Sequence, residues 1–297
     1  MIDRYLAPVP ERRQAIVTSL TFGYAAAWLV VRGLYVRDVA RLPTRRFAPV
    51  GLFEIVGGPP PGWVVLIVWL LGLLGCSFAA FGRLTRVAAP VGAVAMLVIA
   101  TLTSSYGQVF HTEHLLALQL LVLAAAAVIE PCPFRTDGRS ATCSGWPLRL
   151  SMGVVVVVYV VAGIAKLRHG GVDWLTGDVL RSHVAADNLR KLLVDDPHSA
   201  VGGWLSGTAW LWPPIGALTI AVELGAPLAL VPGRVRYGWV ALAWSFHVGV
   251  LALMWISFPY QLSGIAYAAF LPVERIEASL RDTWRSRAGR GRLEVAA

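Results

Sequence analysis

Apolar runs of about twenty residues recur along the chain, most of them bounded by Arg, Gly or Pro. At a helical rise of 1.5 Å per residue, a run of that length matches the hydrocarbon thickness of a bilayer. The pattern predicts a first span at 15–35, entered through Arg12 and Arg13, and a second at 63–81, closed by Arg83 and Arg86. A third covers 87–103, and the polar turn 104–114 leads into a fourth that ends at Ile129. The fifth starts near Leu148, passes through the β-branched tract 154–158 and ends at Lys166. The sixth covers 209–231 and the seventh 237–256. The last run, 261–271, is short and is read as a tilted eighth helix in preference to a re-entrant segment.

The segments between spans carry the breakers and the charges. The connector 36–62 holds Arg45, Arg46 and Pro59-Pro60-Pro61, and its stretch 47–56 is apolar enough for the membrane interface. The longest connector, 167–207, is polar and predicted to contain interfacial helix. The expected fold is all-α: a polytopic membrane protein with about eight transmembrane helices in one bundle over 1–272, followed by a basic cytoplasmic tail at 273–297.

Composition sharpens this picture. Apolar residues are 57% of the chain and charged residues 14%, against roughly half and a quarter in ordinary soluble domains; mean hydropathy is +0.64. The net charge of +9 would suit nucleic acid, but the basic residues sit at span ends and in the tail, where membrane topology places them. Membrane lipids, not nucleic acid, are the expected contacts. The N-terminal stretch lacks a signal-type apolar core, so the first run is expected to persist as a span.

With eight spans, Arg12/Arg13, Arg83/Arg86, Arg135/Arg139, Arg234/Arg236 and the tail arginines fall on one side, while the short turns 104–114 and 258–261 carry no Lys or Arg. Both termini are then cytoplasmic in a multi-pass cell-membrane protein, and the two long connectors lie outside. Cys132 and Cys143 land on the reducing side and are expected as thiols. Trp63, Trp210, Trp212, Tyr237 and Tyr260, near span ends, read as interfacial belt residues.

Ionisable groups at membrane depth are costly and so form the list of functional candidates. Lys166 is either a lysine snorkelling to the outer interface or a desolvated amine able to act as a base; Ala162, Gly163 and Ala165 beside it permit close helix packing. His111 and His114 share a helical face if the turn is helical. They make an incomplete metal site, so no metal is expected; interhelical hydrogen bonding or orientation of a polar substrate fits them better. Glu223 reads as an interhelical hydrogen bond or part of a proton path, and His247 as a structural hydrogen bond or a proton shuttle.

The stretch 159–180, YVVAGIAKLRHGGVDWLTGDVL, resembles the signature of the vitamin K-dependent gamma-carboxylase-like membrane domain, the horizontally transferred transmembrane (HTTM) family. That family ends a helix in AG-x-x-K-[LF] and follows it with D-W-x-x-G, here Ala162-Gly163, Lys166-Leu167 and Asp173-Trp174 to Gly177. His111 to Leu120 and the region from Phe246-His247 to Phe270 are similar to its polar His-containing helix start and its late His-containing helix. The resemblance implies that Lys166 deprotonates reduced vitamin K or menaquinol at the outer face, with His111 or His114 positioning it. Asp173, Trp174, Glu223 and His247 are the candidate substrate-binding residues. An apolar cavity beside Lys166 is expected on this reading. The carboxylase carries a large extramembrane substrate domain that has no counterpart after Pro272, and Ala165 stands where the carboxylase has a second lysine. A partner protein supplying the substrate site would restore that part. Two alternatives stand beside it: a quinol-oxidising subunit of a redox complex, like DoxX-type proteins, and a non-enzymatic scaffold, transporter or immunity protein.

Overall fold

Helix makes up 78% of the structure and strand almost none, the all-α class that the apolar runs predict. The computed structural model describes residues 6–107, 112–130, 132 and 142–294, with side chains through 284. In chain order the helices are α1 (Glu11–Val39), α2 (Leu52–Val56), α3 (Gly62–Ala80), α4 (Thr85–Ser104), α5 (His114–Ile129), α6 (Trp146–Gly170), α7 (Asp173–Thr176), α8 (Asp178–Leu193), α9 (Ala200–Leu205), α10 (Trp212–Leu224), α11 (Arg234–Met254), α12 (Pro259–Leu262) and α13 (Val273–Glu294). Short 3₁₀ turns at Thr44–Arg46, Ala209–Leu211, Ala226–Leu230 and Ile265–Phe270 link them.

Among the described residues, α1, α3, α4, α6 and α11 are long and apolar enough to cross a membrane. The other predicted spans are shorter or broken. The sixth stops at Leu224, because Pro227 has no N–H to continue the ladder and the chain tightens into the 3₁₀ turn Ala226–Leu230. The last run is no long helix: α12 ends after four residues, Gly264 adopts φ +77°, and Ile265–Phe270 is a 3₁₀ turn. Its side chains Tyr260, Gln261, Tyr267 and Phe270 are all buried.

The chain divides into two compact units. The first comprises Met1–Tyr106, Leu120–Arg149 and Leu271–Ala297. Here α3 and α4 cross on bare backbone: a Cβ on Gly75 would lie 2.7 Å from the Gly92 nitrogen, and one on Gly92 would lie 2.8 Å from that of Cys76. Small residues at such a crossing allow the close approach that drives helix association without a hydrophobic effect. The Trp69 indole donates to the Leu29 carbonyl at 2.9 Å, tying α3 to α1. A two-residue bridge pairs β1 (Val9–Pro10) with β2 (Thr142–Cys143). Cys132 and Cys143 are both free thiols, and Cys143 donates to Gln14 at 3.3 Å.

The basic tail begins as helix and is fastened to α1. Arg13 grips Glu274 through two nitrogens at 2.8 and 2.6 Å, and Arg12 grips Glu277. Burial pushes the Glu274 carboxyl up, but the hydrogen bonds from Arg13, a backbone hydrogen bond and the nearby charges of Arg13 and Arg275 together outweigh this and hold it below the ordinary glutamate range. At Glu277 the Arg12 hydrogen bond, opposed by burial, also lowers it. A depressed carboxylate stabilises the fold above its unfolded value, and that contribution disappears as the pH falls through the folded one. The melting temperature should therefore hold from pH 7 to about 5 and fall below that. The double variant Glu274→Gln/Glu277→Gln should start lower at pH 7 and lose less on acidification. Parallel acid titrations of the two proteins would count against these contacts.

The second unit comprises Gly107–Gln119 and Leu150–Phe270. Its core corrects two belt assignments. Trp63, Trp210 and Tyr237 are exposed, but Trp212 and Tyr260 are each 1% exposed. The Trp212 indole donates to the Leu205 carbonyl at 3.1 Å, and the Tyr260 hydroxyl donates to Gln119. Proximity to a span end is thus no guide where a polar tip finds a partner inside. The long connector, expected to carry helix, contains α7, α8 and α9. α8 and the residues after it cap α11: Ser199 Oγ and Lys191 Nζ donate to the Ala252 and Met254 carbonyls at 2.5 Å each, and Asn188 Nδ2 to that of Leu253 at 2.8 Å. The last carbonyls of a helix have no partner within it, so this connector supplies what α11 cannot.

Candidate functional site

α6 brings the site residues into line. Tyr159, Gly163 and Lys166 are spaced by four and three, which puts them on one helical face. That face meets α10: a Cβ on Gly163 would lie 2.8 Å from Leu224 Cδ2 and 3.1 Å from Glu223 Cβ. The bare Gly163 backbone lets α10 approach closely enough for Lys166 Nζ to donate to Glu223 Oε1 at 2.5 Å. The Lys166 side chain is 24% exposed and that of Glu223 3%. Lys166 does not extend alone into its surroundings. It bonds inward to a carboxylate, and the second oxygen, Glu223 Oε2, is buried without a hydrogen-bond partner among the described residues.

The segment after α6 closes over this pair. Gly171 turns the chain at φ +59°, and Trp174 of α7 folds back so that its indole lies where a Gly170 Cβ would be, 2.3 Å away. The Lys166 ammonium stands 5.6 Å from the centroid of the Trp174 ring, within range of a cation–π attraction. Trp174 is stacked on His183 at 5.8 Å with 23° between planes. α7 docks on the start of α10 by backbone contact: a Cβ on Gly216 would sit 2.1 Å from the Trp174 carbonyl oxygen, and one on Gly177 2.2 Å from the Trp212 carbonyl carbon. Gly177 itself has φ +82°, open to glycine at little cost. The motif glycines thus have structural reasons: each removes an atom where α6, α7 and α10 touch.

The other candidates separate. Asp173 is exposed, and its carbonyl accepts from Thr176 at 3.0 Å. His114 is exposed at the start of α5, and the acceptor for Lys166 is Glu223, not this histidine. His111 lies outside the described residues. His247 belongs to a second cluster that composition hid inside apolar runs. The Tyr159 hydroxyl is 2.8 Å from His247 Nε2 and 2.6 Å from the Tyr267 hydroxyl, with Trp239 edge-on to the Tyr159 ring at 5.1 Å. All four residues are buried. Tyr159, seven residues before Lys166, was findable by helical spacing; Tyr267 carried no signal beyond a tyrosine in an apolar run.

Two cavities stand out, one beside α2 and one near Gln14 and Cys132. Neither is lined by Lys166, so neither is the apolar cavity expected beside it. Among the described residues no group of His, Cys, Asp and Glu could hold a metal ion. Compared with protein-family models, with curated proteins and with solved structures, the chain matches none.

Proposed function

We propose that this chain is a multi-pass protein of the cell membrane, of the carboxylase-like type its signature resembles, in which the Lys166–Glu223 pair accepts a proton from a reduced lipid quinone. The observation that carries this reading is the buried carboxylate bonded to the lysine, with one oxygen left without a hydrogen-bond partner among the described residues. A lysine acts as a base only after shedding its own proton, and Glu223 is placed to take it. The amine nitrogen can then accept the proton of a quinol hydroxyl. Trp174 orders the lysine and covers one side of it. The quinol is a substrate here, reaching Lys166 from its exposed side; His114 has no part in holding the lysine.

In this reading the five long helices are joined by α5, by the broken passage 209–230 and by the buried segment 259–270, to make eight crossings with both termini cytoplasmic. Irregular backbone is tolerated at membrane depth where protein surrounds it. A partner protein would supply any peptide substrate.

A second reading is favoured by the glycine contacts. The same block packs α6 and α7 on α10, and the ion pair then only holds a non-enzymatic scaffold or transporter together. A proton path through both faces has less support, since Glu223 and His247 bond within different clusters. The test is product analysis of the purified protein in lipid nanodiscs supplied with reduced vitamin K or menaquinol and oxygen. Quinone or epoxide should form with the wild type and not with Lys166→Met. Absence of product from a folded wild type would leave the packing reading.

A further inference from the structure

We propose that the groove between α2, α3 and α4 binds one acyl chain of an anionic phospholipid, with the lipid phosphate held by Arg45 and Arg46. The groove has a volume of about 320 Å³ and only apolar side chains line it, among them Phe53, Val56, Val64, Val68, Val98 and Leu102. Water needs two or more polar partners to occupy a cavity, and none is offered; hydrocarbon fills such a space at no cost in hydrogen bonds.

The position of the groove selects a lipid tail near its headgroup. Val64 and Val68 belong to the first two turns of α3, and Val98 and Leu102 to the last two of α4. The groove therefore opens at one end of two membrane-length helices, where the connector emerges. α2 forms its wall at that end and is held in place. The Ala48 amide donates to the Ser105 carbonyl at 2.8 Å, and that of Val50 to Ser105 Oγ at 3.2 Å. The Phe47 ring stands edge-on to Phe53 at 5.7 Å and to Tyr106 at 5.2 Å. Gly51 and Gly57, at φ +56° and +80°, set the turns on either side of α2.

Charge supplies the second half of the site. Arg45 and Arg46 end the 3₁₀ turn Thr44–Arg46 and immediately precede Phe47, whose ring packs on the groove wall. Both side chains are exposed. Two exposed arginines in the turn that leads into Phe47, beside a chain-sized groove lined by apolar side chains, match a phosphate joined to a hydrocarbon tail. A tail without an anionic head would use only half of these features.

The full chain, stripped of lipid in detergent, would be given phosphatidylglycerol, phosphatidylcholine or a long-tailed quinone in separate arms, and bound molecules read by native mass spectrometry. Wild type should retain one phosphatidylglycerol, and retain phosphatidylcholine roughly tenfold less well. Arg45→Gln/Arg46→Gln should abolish that preference, while Val98→Trp, which fills the groove, should abolish retention of both. Val64→Trp, on the facing helix, repeats the second test should Val98→Trp not fold. Equal retention of the two phospholipids by the wild type, undiminished retention by a folded tryptophan variant, or preferred retention of the quinone would each overturn the proposal.

Discussion

Gly216→Ala is expected to lower the melting temperature of the protein far more than any other single methyl group added to α10 or α11. The new Cβ would lie 2.1 Å from the Trp174 carbonyl oxygen and 3.3 Å from Gly177 Cα. Both are backbone atoms, so no rotamer change relieves the clash. Either α7 leaves α10, withdrawing Trp174 from Lys166, or α10 shifts and disturbs Glu223. Overpacking a well-filled core costs about 1–3 kcal/mol and sometimes more; a backbone-to-backbone clash belongs at the top of that range. The control is Gly249→Ala in α11, where a Cβ would meet nothing within 4 Å. There the alanine should be neutral or gain up to ~1 kcal/mol from helix propensity. Thermal unfolding in nanodiscs reads both; equal shifts for the two would mean that the Gly216 contact is not tight.

The second large effect is an asymmetry in the ion pair. Lys166→Met leaves Glu223 buried without its cation, whereas Glu223→Gln leaves a lysine that is already 24% exposed and can turn toward water. Removing one member of a buried pair costs about 3–5 kcal/mol, because the other is left uncompensated. Partial exposure of Lys166 screens the interaction, which puts Lys166→Met near the lower end, about 3 kcal/mol, and Glu223→Gln nearer 1 kcal/mol. The double variant Lys166→Met/Glu223→Leu removes both charges and should regain most of the loss. A double-mutant cycle reports the coupling directly, and additive single effects would show that the two groups do not act as a pair.

The sequence could be read most surely where a single helix carried the information. Apolar length alone located α1, α3, α4, α6 and α11, since burial in hydrocarbon needs only about twenty apolar residues in a row. It overstated the sixth and eighth runs, because hydropathy sums over Gly225, Pro227 and Gly264 without registering that they break the helix. Their effect is one of backbone geometry, not of transfer energy. The signature around Lys166 was visible, and so were its small neighbours, but not what they served. Glu223 is 57 residues from Lys166, and one sequence holds no record of how two helices are turned toward each other. The hint available was that opposite charges in apolar runs both need satisfying. Tyr159 and Tyr267 were missed as partners of His247 because a tyrosine inside an apolar run scores as core until its hydroxyl is placed. Trp212 failed in the opposite way, having been put at the interface when glycine at 177 lets the chain close around it.

On the proposed function, Lys166 and Glu223 move protons rather than only hold helices together. The direct test is turnover of reduced menaquinol in nanodiscs by the wild type and by Lys166→Met/Glu223→Leu, the variant expected to keep its fold while losing both titrating groups. Matched melting temperatures, with quinone or epoxide formed by the wild type alone, are the result this account expects. Turnover preserved in the double variant, or absent from both folded proteins, would contradict it and leave the pair a packing device.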